Sequence, residues 1–327
     1  MNSWGRIFRL SVFGESHGPQ LGIVLDGVPP GIAIAPEDFE GDLQRRRAGA
    51  VGTTTRKETD IPRLVSGWFE GKTTGAPLTI VFENNDVRSS DYNQMRGIMR
   101  PGHADFTAHE KFLGFQDFRG GGHFSGRLTV LLTAAGVVAK RILTPIEINA
   151  RLQEAGGEQD IEQALTKARN AGDSIGGIIS CSAVGIPAGW GEPFFDSVES
   201  QIAHLVFSVP AVKGIEFGSG FAAAKMFGSD HNDTYTDVGG ETKTNYAGGI
   251  NGGITNGNTL QFRVAFKPTS STPKPQESFN FKTKKTELLT VGGRHDLCIA
   301  IRAAVVIEAV TAIALADLFL LRKKDFA

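Results

Sequence analysis

The sequence predicts an α+β fold in one domain covering residues 1–327. Strand-like and helix-like segments are mixed without the regular βαβ spacing of a doubly wound sheet. Glycine, 41 of 327 residues, is gathered in short clusters between those segments. No Pro/Ser-rich linker is long enough to divide the chain, although length alone suggests about two domains.

Leu21 to Leu25, followed by Asp26-Gly27, reads as a strand and turn. Pro36 to Arg47 reads as a helix, with proline at its start, Glu37 and Asp38 early and Arg45-Arg46-Arg47 late. Leu78 to Phe82 is a strand, Leu128 to Leu143 a long apolar helix and Asp160 to Ala171 a polar one. Gly177 to Val184 is another strand, Ser197 to Val206 is helical, and Leu260 to Phe266 alternates as a strand should. Ile299 to Leu321 is very apolar but holds Arg302, Glu308 and Asp317. Three charges count against a membrane span, so a buried helix ending in Arg322-Lys323-Lys324 is expected.

Composition narrows the function. With 34 basic and 35 acidic residues the net charge is −1, which argues against a general nucleic-acid or membrane-surface binder but leaves room for a local basic site. Cys181 and Cys298 are far apart and form no metal spacing, so no metal is expected and reduced thiols of a cytoplasmic protein fit best. Met1 to Glu15 has no apolar core of a signal peptide.

Two nucleotide motifs fail. Gly67 to Thr73 ends in Gly-Lys-Thr, but its glycines are too closely spaced for a phosphate-binding P-loop. Gly218, Gly220 and Ala223 match a dinucleotide fingerprint only loosely, outside a convincing βαβ unit. Glycine turns explain both.

Other clusters point to anion chemistry. Phe13-Gly14-Glu15-Ser16-His17-Gly18 sets a histidine in a tight polar loop. Histidine titrates near neutrality and suits proton transfer, although taken alone this one fits a turn residue bonded to backbone better. Arg100-Pro101-Gly102-His103-Ala104-Asp105 repeats the pattern beside an arginine. Asp117-Phe118-Arg119-Gly120-Gly121-Gly122-His123-Phe124-Ser125-Gly126-Arg127 adds two arginines, a histidine and a triple glycine, the donors that phosphate recognition requires. Arg45, Arg46 and Arg47 fan out by about 100° each, so one or two should reach a common site while the rest are solvated. Lys267-Pro268-Thr269-Ser270-Ser271 offers hydroxyls for a phosphate or a polar ring, and Gly293-Arg294-His295-Asp296 precedes a helix N-terminus that favours anions. Together these clusters predict a phosphate-handling site with histidines, in which His17 and His103 are candidates for proton transfer.

The ordered motifs Phe13–Gly18 (FGESHG), Leu25–Ile32 (LDGVPPGI), Arg100–Phe106 (RPGHADF), Asp117–Gly122 (DFRGGG), Pro210–Glu216 (PAVKGIE), Ala247–Ile254 (AGGINGGI), Lys267–Ser271 (KPTSS) and Gly293–Asp296 (GRHD) closely resemble those of the chorismate synthase family. The resemblance implies antiparallel sheets sandwiching helices, one domain per chain and a homotetramer. It implies a lyase that converts 5-enolpyruvylshikimate 3-phosphate to chorismate and phosphate by 1,4-anti elimination, the last common step toward aromatic amino acids, with reduced FMN and no net redox change. By motif, His17 would protonate the departing phosphate, His103 would serve the flavin near N1, and Asp296 would help flavin N5 take up the ring proton. Ser16, Arg46, Arg100, Arg127 and Arg294 would hold the substrate. FMN would lie against His123, Phe124, Ser125, Ala211, Gly252, Lys267, Pro268, Thr269, Ser270, Ser271 and Arg294.

Four departures stand out. His123-Phe124-Ser125 replaces an arginine-serine-serine run, Gly52 stands where the family has an arginine, Leu297 replaces a proline, and Leu143 to Ala171 is compressed. They bear on affinity for FMN and substrate, and they motivate an alternative: an FMN- or anion-binding homologue with impaired or lost catalysis. Lacking a convincing dinucleotide fingerprint, the chain is expected to draw electrons from an external source, with NADPH as an indirect reductant; a bifunctional enzyme with its own NADPH-dependent flavin reductase activity is the competing reading.

Overall fold

The computed structural model describes residues 2–54, 58–86, 97–292 and 295–325, so the predicted site residue Arg294 lies outside the described residues. In chain order the elements are β1 (Ser3–Trp4), β2 (Arg9–Gly14), β3 (Gln20–Asp26), α1 (Glu40–Arg46), β4 (Arg63–Ser66), β5 (Trp68–Phe69), β6 (Lys72–Thr73), β7 (Leu78–Glu83), α2 (Asp105–Lys111), α3 (Thr129–Leu143), β8 (Glu147–Ala155), α4 (Ile161–Ala171), β9 (Gly177–Val184), α5 (Val198–Val206), β10 (Val212–Phe217), α6 (Gly228–His231), β11 (Ile250–Asn251), β12 (Ile254–Thr255), β13 (Leu260–Phe266), β14 (Gln276–Asn280), β15 (Lys285–Leu289) and α7 (Ala300–Asp325).

Two antiparallel sheets, ordered β1-β2-β3-β7-β4 and β10-β13-β9-β8, enclose a helical layer. Side-chain alternation decides which face each strand turns inward. In β3, Leu21, Ile23 and Leu25 are fully buried and pair with Phe82, Ile80 and Leu78 of β7. In β13, Leu260, Phe262, Val264 and Phe266 are buried while the residues between them are half-buried. Helix α3 packs on α7 and touches β3, and α7 lies on β8 and β9. Both helices are apolar on nearly every side, the pattern of helices enclosed by the fold. The α+β expectation, with antiparallel sheets around helices, therefore holds.

Helix α7 is long and apolar enough to cross a membrane by length and composition, yet here it is a core helix. Its buried charges are satisfied inside the protein. Glu308 accepts from Arg45 at 2.6 and 2.7 Å, from Lys140 at 3.2 Å and from the Ala150 backbone N–H at 2.8 Å. Asp317 accepts from the backbone N–H groups of Arg6, Ile7 and Phe8 at 3.1, 2.7 and 2.8 Å.

Side-chain caps set the start of two helices. Asp160 and Ser197 cap α4 and α5, accepting from Gln163 N at 3.0 Å and Ser200 N at 3.1 Å. The helix expected over Pro36 to Arg47 begins as a 3-10 turn, Pro36–Phe39, before α1. Gly67 to Thr73 is the β5–β6 hairpin, turned by Glu70 and Gly71 at φ 46 and 76°. Gly218 to Ala223 leaves an antiparallel strand and enters a 3-10 turn, so neither motif is a nucleotide loop.

Helices α3 and α7 cross at Gly136, where an added Cβ would overlap Ala309. Alanine gains about 1 kcal/mol over glycine in a free helix. Here overpacking outweighs that gain: Gly136→Ala should destabilise the protein by about 1–3 kcal/mol, read as a lower urea midpoint at unchanged slope.

Candidate active site

A cavity of about 670 Å³ opens where α1, the glycine loop before α3, the segment after β13 and the start of α7 converge. Its volume lies within the range of about 300–1,000 Å³ that houses a cofactor-sized ligand. His17, Arg46, Arg100, His103, His123, Phe124, Ser125, Arg127, Ala211, Lys267, Pro268, Thr269, Ser270, Ser271 and Asp296 line it. Ser16 and Gly252 do not. Ser16 is fully buried behind the glycine loop. Gly252 sits exposed in the turn of the β11–β12 hairpin, outside this cavity.

The two histidines of the sequence motifs meet one piece of backbone. The loop carrying His17 is held by Asn84, whose Nδ2 donates to the carbonyls of Glu15 and Gly18 at 3.1 and 2.8 Å. Ser16 N donates to Gly122 O at 3.1 Å, tying that loop to the triple glycine. Gly120 and Gly121 have φ of 59 and 81°, which glycine adopts without strain. A Cβ on Gly120 would come within 2.5 Å of the His17 ring and 2.9 Å of Ser16 Oγ. On Gly121 it would press on His103 Cε1 and Nε2 at 3.3 and 3.4 Å.

His103 is held by a residue to which the sequence alone gave no role. Asp105, the first residue of α2, places Oδ1 at 2.6 Å from His103 Nδ1. The Arg100 guanidinium forks onto the same carboxylate at 2.7 and 2.7 Å, and the Arg100 backbone N–H adds a third bond at 3.0 Å. Burial alone would raise the Asp105 carboxyl, but Arg100 and His103 outweigh it and hold it well below the usual carboxylate range. Arg100 therefore lines the cavity with its fork already engaged.

Arg46 and Arg127 converge on Asp60, another residue the motifs did not mark. Arg46 donates to Asp60 Oδ2 at 2.6 Å and Arg127 to Asp60 Oδ1. Burial would raise the Asp60 carboxyl, but the two guanidiniums outweigh it and lower it. Burial also brings Arg46 down to about 10, still fully cationic at neutral pH. Arg127 Nε donates to Asn84 Oδ1 at 3.0 Å, so Asn84 links the His17 loop to the guanidiniums. Of the basic triplet, Arg46 and Arg47 reach the cavity, as the fan of directions predicts, and the remaining Arg45 is exposed while its guanidinium pairs with the buried Glu308.

On the opposite wall Arg302 donates to both Asp296 oxygens at 3.2 and 3.1 Å and to Arg46 O at 2.8 Å, while Thr54 N donates to Asp296 at 2.9 Å. Burial lowers His295, whose Nε2 donates to Gly292 O at 3.0 Å. Lys267 Nζ donates to Gly102 O, and to Ser270 Oγ at 3.0 Å, which locks the segment after β13 onto the His103 loop. Burial and the nearby Lys213 lower Lys267. Arg46 Nε and Thr269 Oγ1 are buried and find no hydrogen-bond partner among the described residues, so the cavity keeps polar atoms for a ligand.

The sequence model of a family described as chorismate synthase matches residues 8–320. The chain belongs to the chorismate synthase family. It is 61% identical to the chorismate synthase of Chitinophaga pinensis, covering 99% of this chain and 98% of that one. Against the chorismate synthase of Korarchaeum cryptofilum it is 43% identical, covering 96% of each. A crystal structure of a chorismate synthase shares the fold at a TM-score of 0.76 and 24% identity, covering 98% of this chain and 93% of that one.

In this member of the chorismate synthase family the departures at His123 and Gly52 have physical explanations. His123 Nδ1 donates to Gly14 O at 2.9 Å and Nε2 lies 3.1 Å from Asn2 Oδ1, so the ring fastens the glycine loop to the N-terminal strands. Gly52 packs against Leu165 and Ile301, and its carbonyl accepts from Leu297 N at 2.9 Å. A long cation there would need a different packing.

Gly120 allows His17 its place, so Gly120→Ala should lower turnover on the order of 100-fold through misplacement of about an ångström, with the circular-dichroism spectrum unchanged.

Proposed function

We propose that the chain catalyses conversion of 5-enolpyruvylshikimate 3-phosphate to chorismate and phosphate by 1,4-anti elimination. The observation that carries this reading is the pair His17 and His103 on consecutive glycines beside the Arg46–Asp60–Arg127 cluster, in a chain 61% identical to a chorismate synthase. Glu58 also lies 3.9 Å from Arg127, but across the lining the cations Arg46, Arg47, Arg100, Arg127, Lys213, Lys267 and Arg302 outnumber the carboxylates Glu58, Asp60, Asp86 and Asp296, which suits an anionic substrate. Arg46 and Arg127 would hold its anionic groups. His17 would give a proton to the leaving phosphate, within reach of those cations. Ser16 would support His17 from beneath rather than touch the substrate.

The cavity fits reduced FMN as cofactor: its volume, the unpartnered Thr269 Oγ1 and Arg46 Nε, and the side-chain-free edge of Gly121 suit a flat, polar, anionic group. When bound, the reduced flavin supplies electron density that lets a ring hydrogen with no adjacent carbonyl depart. His123, Phe124, Ser125, Ala211 and Lys267 to Ser271 would hold it, joined by Lys213, which also lines the cavity. His103 and Asp296 would handle protons on the flavin side. Nothing in their arrangement favours a binding protein without catalysis.

The finer assignments follow the same reading. The chain acts as one domain, supported by a hydrophobic cluster that runs through both sheets and the helices between them. It assembles as a homotetramer, supported by strongly exposed aromatics such as Phe194, Phe195, Phe221 and Phe227. It works in the cytoplasm, supported by two buried thiols, of which burial pushes Cys181 up to about 12. Electrons come from outside, with NADPH at most an indirect donor.

Under anaerobic conditions with photoreduced FMN the protein should form chorismate; absence of turnover by folded, FMN-bound protein overturns the assignment. His17→Ala and His103→Ala should each cost about 100-fold or more in rate, and near-wild-type rates would remove the residue from proton handling. NADPH with added FMN should show no protein-dependent oxidation at 340 nm (~the nicotinamide band); oxidation that scales with protein would make the enzyme its own flavin reductase.

A further inference from the structure

Asp105 lies two residues beyond His103, and its carboxylate is the nearest charged group to the imidazole. A nitrogen and an oxygen at 2.6 Å must share a hydrogen, since two lone pairs repel at that distance. The oxygen cannot supply it. Asp105 already accepts three hydrogen bonds from Arg100 and is held ionised. The hydrogen therefore sits on His103 Nδ1. Arg100 Nη2, 3.1 Å from the same nitrogen, is a competing donor that the carboxylate keeps occupied.

The far edge of the ring faces differently. Nε2 and Cε1 lie against Gly121, where an added Cβ would press on them at 3.4 and 3.3 Å. The His103 side chain is about one-fifth exposed and lines the cavity. Around it stand Arg100 and Asp105 on its own loop and helix, His295 before α7, and Lys267, bonded to Gly102 O. Arg100 and Lys267 only donate, His295 is engaged through Nε2 with Gly292 O, and the Asp105 carboxylate, at 2.6 Å, is the acceptor in contact with Nδ1.

We propose that Asp105 is the positioning residue of His103: its carboxylate fixes the Nδ1–H tautomer, so that Nε2, beside Gly121, is the nitrogen that gives and takes protons in the reaction. The Nδ1 hydrogen stays shared with Asp105 throughout, and each proton gained or lost at Nε2 changes the ring between imidazolium and neutral imidazole. This inference rests on the proton-handling role given to His103 above. The ring nitrogen that carries the hydrogen is set by the bond the other makes, a relation general to histidine.

The test uses the full-length protein with 15N-labelled histidine, the His103 resonances being identified by their loss in His103→Gln. Two-bond 1H–15N correlations at alkaline pH read the tautomer directly, without FMN or substrate. Wild type should show Nδ1–H. In Asp105→Ala the freed Arg100 Nη2 should donate to Nδ1 and drive the hydrogen to Nε2; kcat and kcat/KM should fall together by about 10-fold or more. Should that variant not fold, Asp105→Asn keeps the side-chain volume and turns an N–H toward Nδ1, with the same expected tautomer and loss. An Nε2–H ring in wild type, an unchanged tautomer in the variants, or full turnover with a flipped tautomer each overturns the proposal. Absence of chorismate formation by wild type would remove the reaction assignment while the spectrum still decides the tautomer.

Discussion

The fold depends on how one apolar helix satisfies the charges it carries. Along α7, Arg302, Glu308 and Asp317 point to three different neighbours, and each neighbour is a different part of the molecule. Arg302 reaches Asp296 and the end of α1; Glu308 gathers α1, α3 and β8; Asp317 receives the backbone leading into β2. A buried charge without partners is expensive, and breaking such a pair costs about 3–5 kcal/mol. The helix therefore fixes the registry of everything around it. Hydrophobic burial supplies the driving force, but apolar faces alone would tolerate sliding. The ionic contacts allow one arrangement.

The same economy of charge shapes the site. The whole protein is nearly neutral at −1, yet the cavity gathers guanidiniums from α1, from the glycine loop and from α7. Four of the guanidiniums are held by a carboxylate that also binds another group: Asp60 between Arg46 and Arg127, Asp105 between Arg100 and His103, Asp296 bonded to Arg302 and Thr54, while Arg47 pairs with Glu40. Sharing aims the cations before any ligand arrives, so little reorganisation remains for the moment of reaction.

Much of this was legible in the sequence, and the boundary of legibility is physical. Strands with clean apolar alternation or continuous apolar runs, such as Gly177–Val184 and Leu260–Phe266, are read at their observed ends. Strand β8 escapes because its buried positions, Ile148, Ala150 and Ala155, are few and small among Glu, Asn, Arg and Gln. The β14–β15 hairpin escapes because lysines crowd its turn. In the site, histidines and glycines announce themselves through local motifs. Asp60 does not, because its meaning lies in Arg127, 67 residues away. Arg302 is hidden inside an apolar run whose chief signal is burial. Asp105 was visible beside His103, and only the 2.6 Å contact gives it a role. His123, a departure from the family motif in the sequence, lines the cavity and also fastens the loop to Gly14, a contact no local motif announces.

The glycine loop has a further consequence. His17 rests on Gly120 and His103 on Gly121, two residues joined by a single peptide unit. Consecutive Cα atoms are about 3.8 Å apart whatever the surrounding packing does. The spacing between the surfaces on which the two imidazoles rest is thus set by covalent bonds, which neither temperature nor drift in the surrounding core can stretch. The loop works as a ruler between the two rings, and its lack of side chains lets both touch the same rung.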